Sequence, residues 1–252
     1  MGEGVGRGPS AGRSGPPGGA WGEGPTRNDP WADPAQAHEP PLNLPWPAAA
    51  LVAVFIAIYA LEVLLGGPDP SAAAFGFTPA ALTKGGGYGL VTALFVHGGW
   101  GHVLINSGFA LAFCTPVARR FGSKLAGASL FFLFFLVCGV CGNLGYDLAH
   151  PNDAHPVVGA SGAIAGFMAA ATRLLWRGPG LARLTSPAVL TVGLSFIALN
   201  LVVGLFHVDP GLGTDGAPVA WETHVVGYLV GLLLIGPFDR AASKIGFRRS
   251  KD

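Results

Sequence analysis

Apolar residues in this chain are gathered into long blocks, and the charged residues avoid them. Six blocks stand out, at 47–65, 101–118, 125–146, 158–176, 187–207 and 220–238. Each is near the ~20 residues that an α-helix needs to cross the hydrocarbon core of a bilayer. Backbone N–H and C=O groups find no water at that depth, so such blocks are predicted to fold as helices that satisfy their own hydrogen bonds. The expected fold is an all-α membrane protein, a six-transmembrane-helix bundle over residues 47–238. Residues 1–46 are rich in Gly, Pro and Ser, carry both charge signs, and lack the basic start and short apolar core of a secretory signal. They read as a disordered cytoplasmic tail. Residues 239–252 read as a basic cytoplasmic tail.

Composition agrees. Half the residues are hydrophobic and only 12% are charged, against about a quarter in a soluble domain. The distribution of charge sets the orientation. Of the fifteen Lys and Arg, three lie in the N-terminal tail and Lys84 lies between the first two blocks. The rest follow the second, fourth and sixth blocks: Arg119, Arg120 and Lys124; Arg173, Arg177 and Arg183; Arg240, Lys244, Arg248, Arg249 and Lys251. The opposite connections hold Asp69, Asp147, Asp153, Asp209, Asp215 and Glu222. Basic residues stay on the cytoplasmic side, so both termini are expected there. Trp46, Trp100, Trp176 and Trp221 fall near block ends, where interfacial tryptophans belong. This arrangement points to a bacterial inner membrane. The lipid bilayer is the expected surrounding, with no nucleic-acid partner.

Spans two, four and six then begin on the outer side, and each begins with polar side chains: His102 and Asn106, then Ser161, then His224. Burying such groups in a membrane costs free energy unless they have a partner or a task. A serine hydroxyl becomes a nucleophile when a base takes its proton, and His224 lies at the right depth to be that base. Gly162 and Gly166 on span four, and Gly227 and Gly231 with His224 on span six, form stripes of small residues that let helices approach closely. A single methyl at Gly227 is expected to be tolerated better than a bulky side chain. No carboxylate is placed to orient the imidazole, because Glu222 faces away. The pair is therefore a Ser–His dyad. His102 and Asn106, with the backbone N–H of Ser161, can donate hydrogen bonds to an oxyanion.

Each feature has a plainer explanation. A Gly-Ala-Ser-Gly string is common where helices pack closely, a lone histidine can be structural, and Asn106 can simply bridge helices. Their coincidence at one depth favours chemistry. His97 is expected to organise the loop before span two. Asn143 and Asn200 are read as helix bridges; Glu62, Asp147 and His207 lie near the outer interface. Cys138 and Cys141 form a CxxC on a membrane helix and read as packing residues. His150, His155 and Asp153 do not complete a metal-ligand set, so neither metal nor cofactor is expected. A transporter or channel would need polar residues through the full depth of the spans, whereas here they are confined to the outer third.

These residues resemble the rhomboid family of intramembrane serine proteases. His97 to Asn106, HGGWGHVLIN, is similar to the family's HxxxxHxxxN; GASGAIAG from Gly159 to Gly166 resembles its GxSG; His224 to Gly231 matches HxxGxxxG. Arg120-Phe121-Gly122-Ser123 resembles the turn after the second span. The resemblance implies a six-helix bundle with a water-filled cavity opening outward. It implies Ser161 as nucleophile, His224 as general base and then acid, His102 and Asn106 as oxyanion donors, and His97 as loop organiser. Single-span transmembrane proteins, cut near the top of the helix, are the implied substrates; a catalytically silent protein that binds membrane clients is the alternative. Two positions depart from the pattern. Tyr88-Gly89 replaces a Trp-Arg pair in the first loop, and Ala165 replaces an aromatic residue that stacks on the base, so that either other packing holds the base or the dyad is looser.

Overall fold

The computed structural model describes Met1 and residues 44–175, 180–206 and 219–249, with side chains to residue 245. The chain divides into two units, Met1–Asn43 and Leu44–Asp252, and the helical bundle belongs to the second. Several expectations lie outside the described residues: the tail to residue 43, Trp176, Arg177, the loop with His207, Asp209 and Asp215, the side chains of Arg248 and Arg249, and Lys251.

The described fold is an all-α, multi-pass bundle. Its first long helix is α1 (Trp46–Leu64). A long connection follows, built from α2 (Pro68–Phe75), α3 (Pro79–Leu82), a 3₁₀ turn (Gly86–Tyr88) and α4 (Gly89–Thr92). Then come α5 (Trp100–Phe121), α6 (Leu125–Ala149), α7 (Ser161–Leu174), α8 (Pro187–Leu205) and α9 (Trp221–Arg249). Among the described residues, five helices are long and apolar enough to cross a membrane: α1, α5, α6, α8 and α9.

α7 is not among them, which corrects the expectation of six full-length spans. The block at 158–176 yields a helix of 14 residues. At 1.5 Å per residue that is about 21 Å, short of a hydrocarbon core of about 30 Å. The cause lies just before the helix. Gly159 has φ +113°, a conformation that ends a right-handed helical run. Its N–H donates to the Ala93 carbonyl at 2.8 Å instead of to a carbonyl four residues back. Phe77 and Val157 exchange two backbone hydrogen bonds at 2.9 and 2.8 Å. Val157 and Gly159, just before the helix, are thereby tied to the segments around Phe77 and Ala93. At the other end of the bundle, α9 continues as helix past residue 238 to Arg249. Pro237 removes one hydrogen-bond donor from it without ending it.

Two kinds of packing hold the bundle. Far from the start of α7, aromatic rings fill the core: Phe134 lies 5.0 Å from Phe167 and 5.1 Å from Phe238, centroid to centroid. Arg120 at the end of α5 grips Asp239 of α9 bidentately, at 2.5 and 3.0 Å. Between α6, α7 and α9 the closest approaches are instead made at glycines. A side chain at Gly227 would run into the Gly162 carbonyl, and one at Gly231 into the backbone of Gly166. A Cβ at Gly142 of α6 would sit 2.8 Å from the Thr223 carbonyl, and one at Gly166 would sit 2.6 Å from Cys138 Sγ. Cys138 is fully buried there.

Candidate active site

The chain's short central helix places Ser161 as its first residue, and α9 places His224 in its first turn. The Gly162–Gly227 contact brings the two helix starts together, and Ser161 Oγ lies 2.8 Å from His224 Nε2. On the other edge of the ring, His224 Nδ1 lies 2.8 Å from Asn200 Oδ1 of α8. Because the amide oxygen can only accept, Nδ1 carries the proton and Nε2 is left to accept from the serine hydroxyl. Ser161 and His224 are partly accessible, whereas Asn200 is buried.

Across from Ser161, α5 supplies a second histidine. The Gly98 backbone N–H donates to His102 Nδ1 at 3.4 Å, so in the neutral ring Nε2 is the protonated nitrogen. That nitrogen faces Gly159: a Cβ there would meet His102 Nε2 at 2.6 Å and Asn106 Nδ2 at 3.9 Å. Glycine is thus required twice at 159, by its positive φ and by the space between the histidine and the start of α7. The Asn106 amide donates one hydrogen bond to the His102 carbonyl at 3.1 Å, which leaves its second N–H. The Ser161 backbone N–H, in the first turn of α7, has no intrahelical acceptor, and the positive end of the helix dipole points the same way. His102 Nε2 and Asn106 Nδ2 thus both lie beside Gly159, two residues before the serine.

His97 lies behind this group, fully buried in the loop between α4 and α5. Its Nδ1–H donates to the Phe95 carbonyl at 3.2 Å, and its ring meets Phe55 of α1 and His102 edge-on, at 5.3 and 5.2 Å. Burial, aided by neighbouring His102 and opposed by the Phe95 bond, pushes its pKa down to about 3. It is neutral at physiological pH and acts as a wedge between the first loop and α5. Near the start of α9, Glu222 pairs with His150 at 2.8 Å and is taken up by that contact. Asp153 accepts from the Tyr146 hydroxyl at 2.5 Å and from the His155 backbone and ring, which hold its carboxyl down to about 2.

Both departures from the expected motifs have local accounts. A Cβ at Gly89 would stand 2.7 Å from the Gly76 carbonyl, so an arginine has no room there. The first loop is tied instead by the Tyr88 hydroxyl to Ala74 (3.1 Å) and by Thr92 to Phe75 (2.6 Å). Ala165 packs with Ala169 and Tyr228, and Phe196 of α8 stacks on Tyr228 at 4.9 Å. No ring stacks on His224 among the described residues. A cavity of about 270 Å³ lies elsewhere, bounded by Ile58, Leu61 and Phe75 and by the buried Glu62.

Sequence reasoning did not single out two contributors. Gly159 was signalled only as the first letter of its motif. In the sequence Asn200 is a lone amide in an apolar block, the pattern of a helix bridge. It does bridge α8 to α9, and the atom it reaches is the histidine ring.

Fold and cluster together define a multi-pass membrane protein with a serine and a histidine in hydrogen-bond contact between helix starts. Comparison with protein-family models matches the rhomboid domain over residues 84–238, more than half of the chain, and the chain belongs to that family. Comparison with curated proteins found no match.

Proposed function

We propose that this protein is an intramembrane serine endopeptidase that cuts single-span transmembrane proteins near the outer face of the bilayer. The observation that carries this reading is the 2.8 Å contact between Ser161 Oγ and His224 Nε2, in a chain of the rhomboid family. Ser161 attacks the scissile carbonyl as His224 takes its proton at Nε2. The carbonyl oxygen becomes an oxyanion held by His102 Nε2–H, Asn106 Nδ2–H and the Ser161 N–H. His224 then hands the proton to the departing amine, and a water molecule, deprotonated by the same imidazole, releases the acyl group from Ser161. His97 keeps His102 in place.

In this reading α7 is the sixth member of a six-helix bundle, too short to cross alone and enclosed by longer neighbours. Its length sets Ser161 below the outer ends of those neighbours, at the depth where the top of a substrate helix would unwind. Both termini are cytoplasmic, and the membrane is a bacterial inner membrane. The asymmetry of Lys and Arg supports this orientation. A cysteine in place of Asp215 should react with a membrane-impermeant thiol reagent from outside and one in place of Arg248 should not; the reverse pattern would put the site on the cytoplasmic side.

The deciding experiment is fluorophosphonate labelling and cleavage of a model transmembrane substrate by the native chain, Ser161→Ala and His224→Ala. Nucleophile and base act as a unit, so either loss should remove nearly all activity. Normal cleavage by purified Ser161→Ala would falsify the dyad. A native chain that binds the substrate but neither labels nor cleaves would support the catalytically silent alternative.

A further inference from the structure

We infer that Asn200 is the positioning residue of the base: its side-chain carbonyl holds His224 in the tautomer and orientation that let Nε2 accept the Ser161 proton, making the centre a Ser–His–Asn arrangement. This rests on the hydrolytic reading of Ser161 and His224 and adds a third member, on a helix that supplies neither of the others.

The hydrogen bonds on both sides of the amide fix its direction. Asn200 Nδ2 donates to the Phe196 carbonyl one turn earlier on α8, at 2.9 Å. The NH₂ is thereby spent within α8 and Oδ1 is turned toward α9, where it lies 2.8 Å from His224 Nδ1. A flipped amide would set an NH₂ against the Nδ1–H and an oxygen against a carbonyl. With Nδ1 protonated, neutral imidazole has its lone pair at Nε2, on the edge that meets Ser161 Oγ.

The burial pattern of α8 argues in the same direction. Its buried residues are Val189, Gly193 and Asn200, and most of the remainder faces outward. An amide on such a helix would be expected on a solvated or lipid-headgroup face; this one is 7% exposed and both its halves are paired. Burying it is costly unless those bonds are made. One turn below, Phe196 stacks on Tyr228. Residues 196 and 200 of α8 thus meet 228 and 224 of α9, as two rungs of a ladder, the upper rung holding the imidazole. Residue 165 is alanine, and among the described residues no aromatic ring stacks on the face of His224. Its orientation is therefore set from its edge, through Nδ1. A neutral amide does this without adding a charge.

Among the described residues, the titratable group on another helix that bears on His224 is His102 of α5. On its own helix there is Glu222, engaged by His150 just after α6. α7 and α8 present Ser161 and Asn200, which do not titrate.

The test uses the full chain reconstituted with a transmembrane substrate, comparing native protein, Asn200→Leu and Asn200→Asp. Asn200→Leu keeps the size and removes the acceptor. It should lower kcat/KM by ~10–100-fold, the range for removing the partner behind a functional histidine, while fluorophosphonate still labels Ser161. The decisive readout is the acidic limb of the pH profile, which reports protonation of the base. Without an acceptor the imidazolium loses a partner, so the limb should move to lower pH in Asn200→Leu. A carboxylate stabilises the imidazolium, so it should move to higher pH in Asn200→Asp, which should also retain more activity than the leucine variant. A purely structural role for Asn200 would leave the midpoints alone. Equal midpoints in all three proteins, or native kcat/KM in a folded Asn200→Leu, would overturn the inference. Should Asn200→Leu fail to fold, the aspartate midpoint alone decides. Cleavage by Ser161→Ala, run in parallel, would instead mean that the dyad reading itself had failed.

Discussion

At its glycines α9 meets α7 through bare backbone, and beside the dyad it meets α8 through side chains. Against α7, Gly227 faces the Gly162 carbonyl and Gly231 faces Gly166, with nothing between them. Against α8, the contacts are an amide on an imidazole and a phenylalanine on a tyrosine. α8 is also the least enclosed of the long helices: 17% of its apolar stretch is buried within the protein, against 33–44% for the other four. The contrast separates two tasks. Distance between Ser161 and His224 is set by glycine contacts that have no rotamers and cannot loosen without moving a helix. Orientation of the imidazole is set by side chains on a helix held by few contacts.

The largest effect should follow from breaking the backbone interface. Gly227→Leu would push α9 off α7; a displacement of about 1 Å at a reacting pair can cost ~10²-fold in rate. Overpacking adds a stability loss of ~1–3 kcal/mol, so thermal unfolding is followed beside cleavage. The structure also revises the expectation that a methyl at this position is mild. The atom in the way is the Gly162 carbonyl, not the end of a flexible side chain, so Gly227→Ala should lose activity and stability as well. Full activity and an unchanged unfolding temperature in Gly227→Ala would show that the helices are not in backbone contact.

A smaller loss should come from the donors opposite Ser161, which leave the interface whole. Removing one oxyanion donor typically costs ~10²–10³ in rate. His102→Ala should approach that range, because its Nε2–H faces the space at Gly159 directly. Asn106→Ala should cost less, since part of its amide is committed to the His102 carbonyl. In both, Ser161 should still label with fluorophosphonate and the unfolding temperature should stay close to native. Unchanged turnover in both variants would make these packing residues.

The same contrast explains what the sequence made legible. Long apolar blocks announce helices, because lipid admits little else, and the ends of α1, α5, α6 and α8 fall within three residues of the blocks. The shortness of α7 was hidden because Val157 and Val158 are as apolar as a helix interior, while the break depends on the φ of Gly159. Ser161, His224, His102 and Asn106 stood out as polar residues at helix starts. The glycines of α6 did not, although Gly142 abuts Thr223 and Gly145 abuts Val226. Gly89 looked like a lost arginine contact. The lack of space beside Gly76 is a tertiary fact that no local pattern encodes.

The smallest effect should appear on the outer face of α8. Leu194 is 65% exposed within the protein and faces lipid in the bilayer, so Leu194→Ala removes almost no internal packing. Its stability change should lie within about ±0.5 kcal/mol, and turnover should stay within about twofold of native, as expected if no catalytic contact passes through that face. Its neighbour Gly193 faces inward, and a Cβ there would stand 3.3 Å from the Tyr228 hydroxyl. Gly193→Ala therefore probes the inner face of the same turn, pressing on the Phe196–Tyr228 stack that underlies the Asn200–His224 pair. It should cost more than Leu194→Ala in both unfolding temperature and turnover, though less than any change at Gly227, because a hydroxyl can shift where a backbone carbonyl cannot. If Leu194→Ala proved the more damaging to cleavage at unchanged stability, the outer face of α8 would have to contact the substrate. The helix would then be a binding element as well as the support of the base.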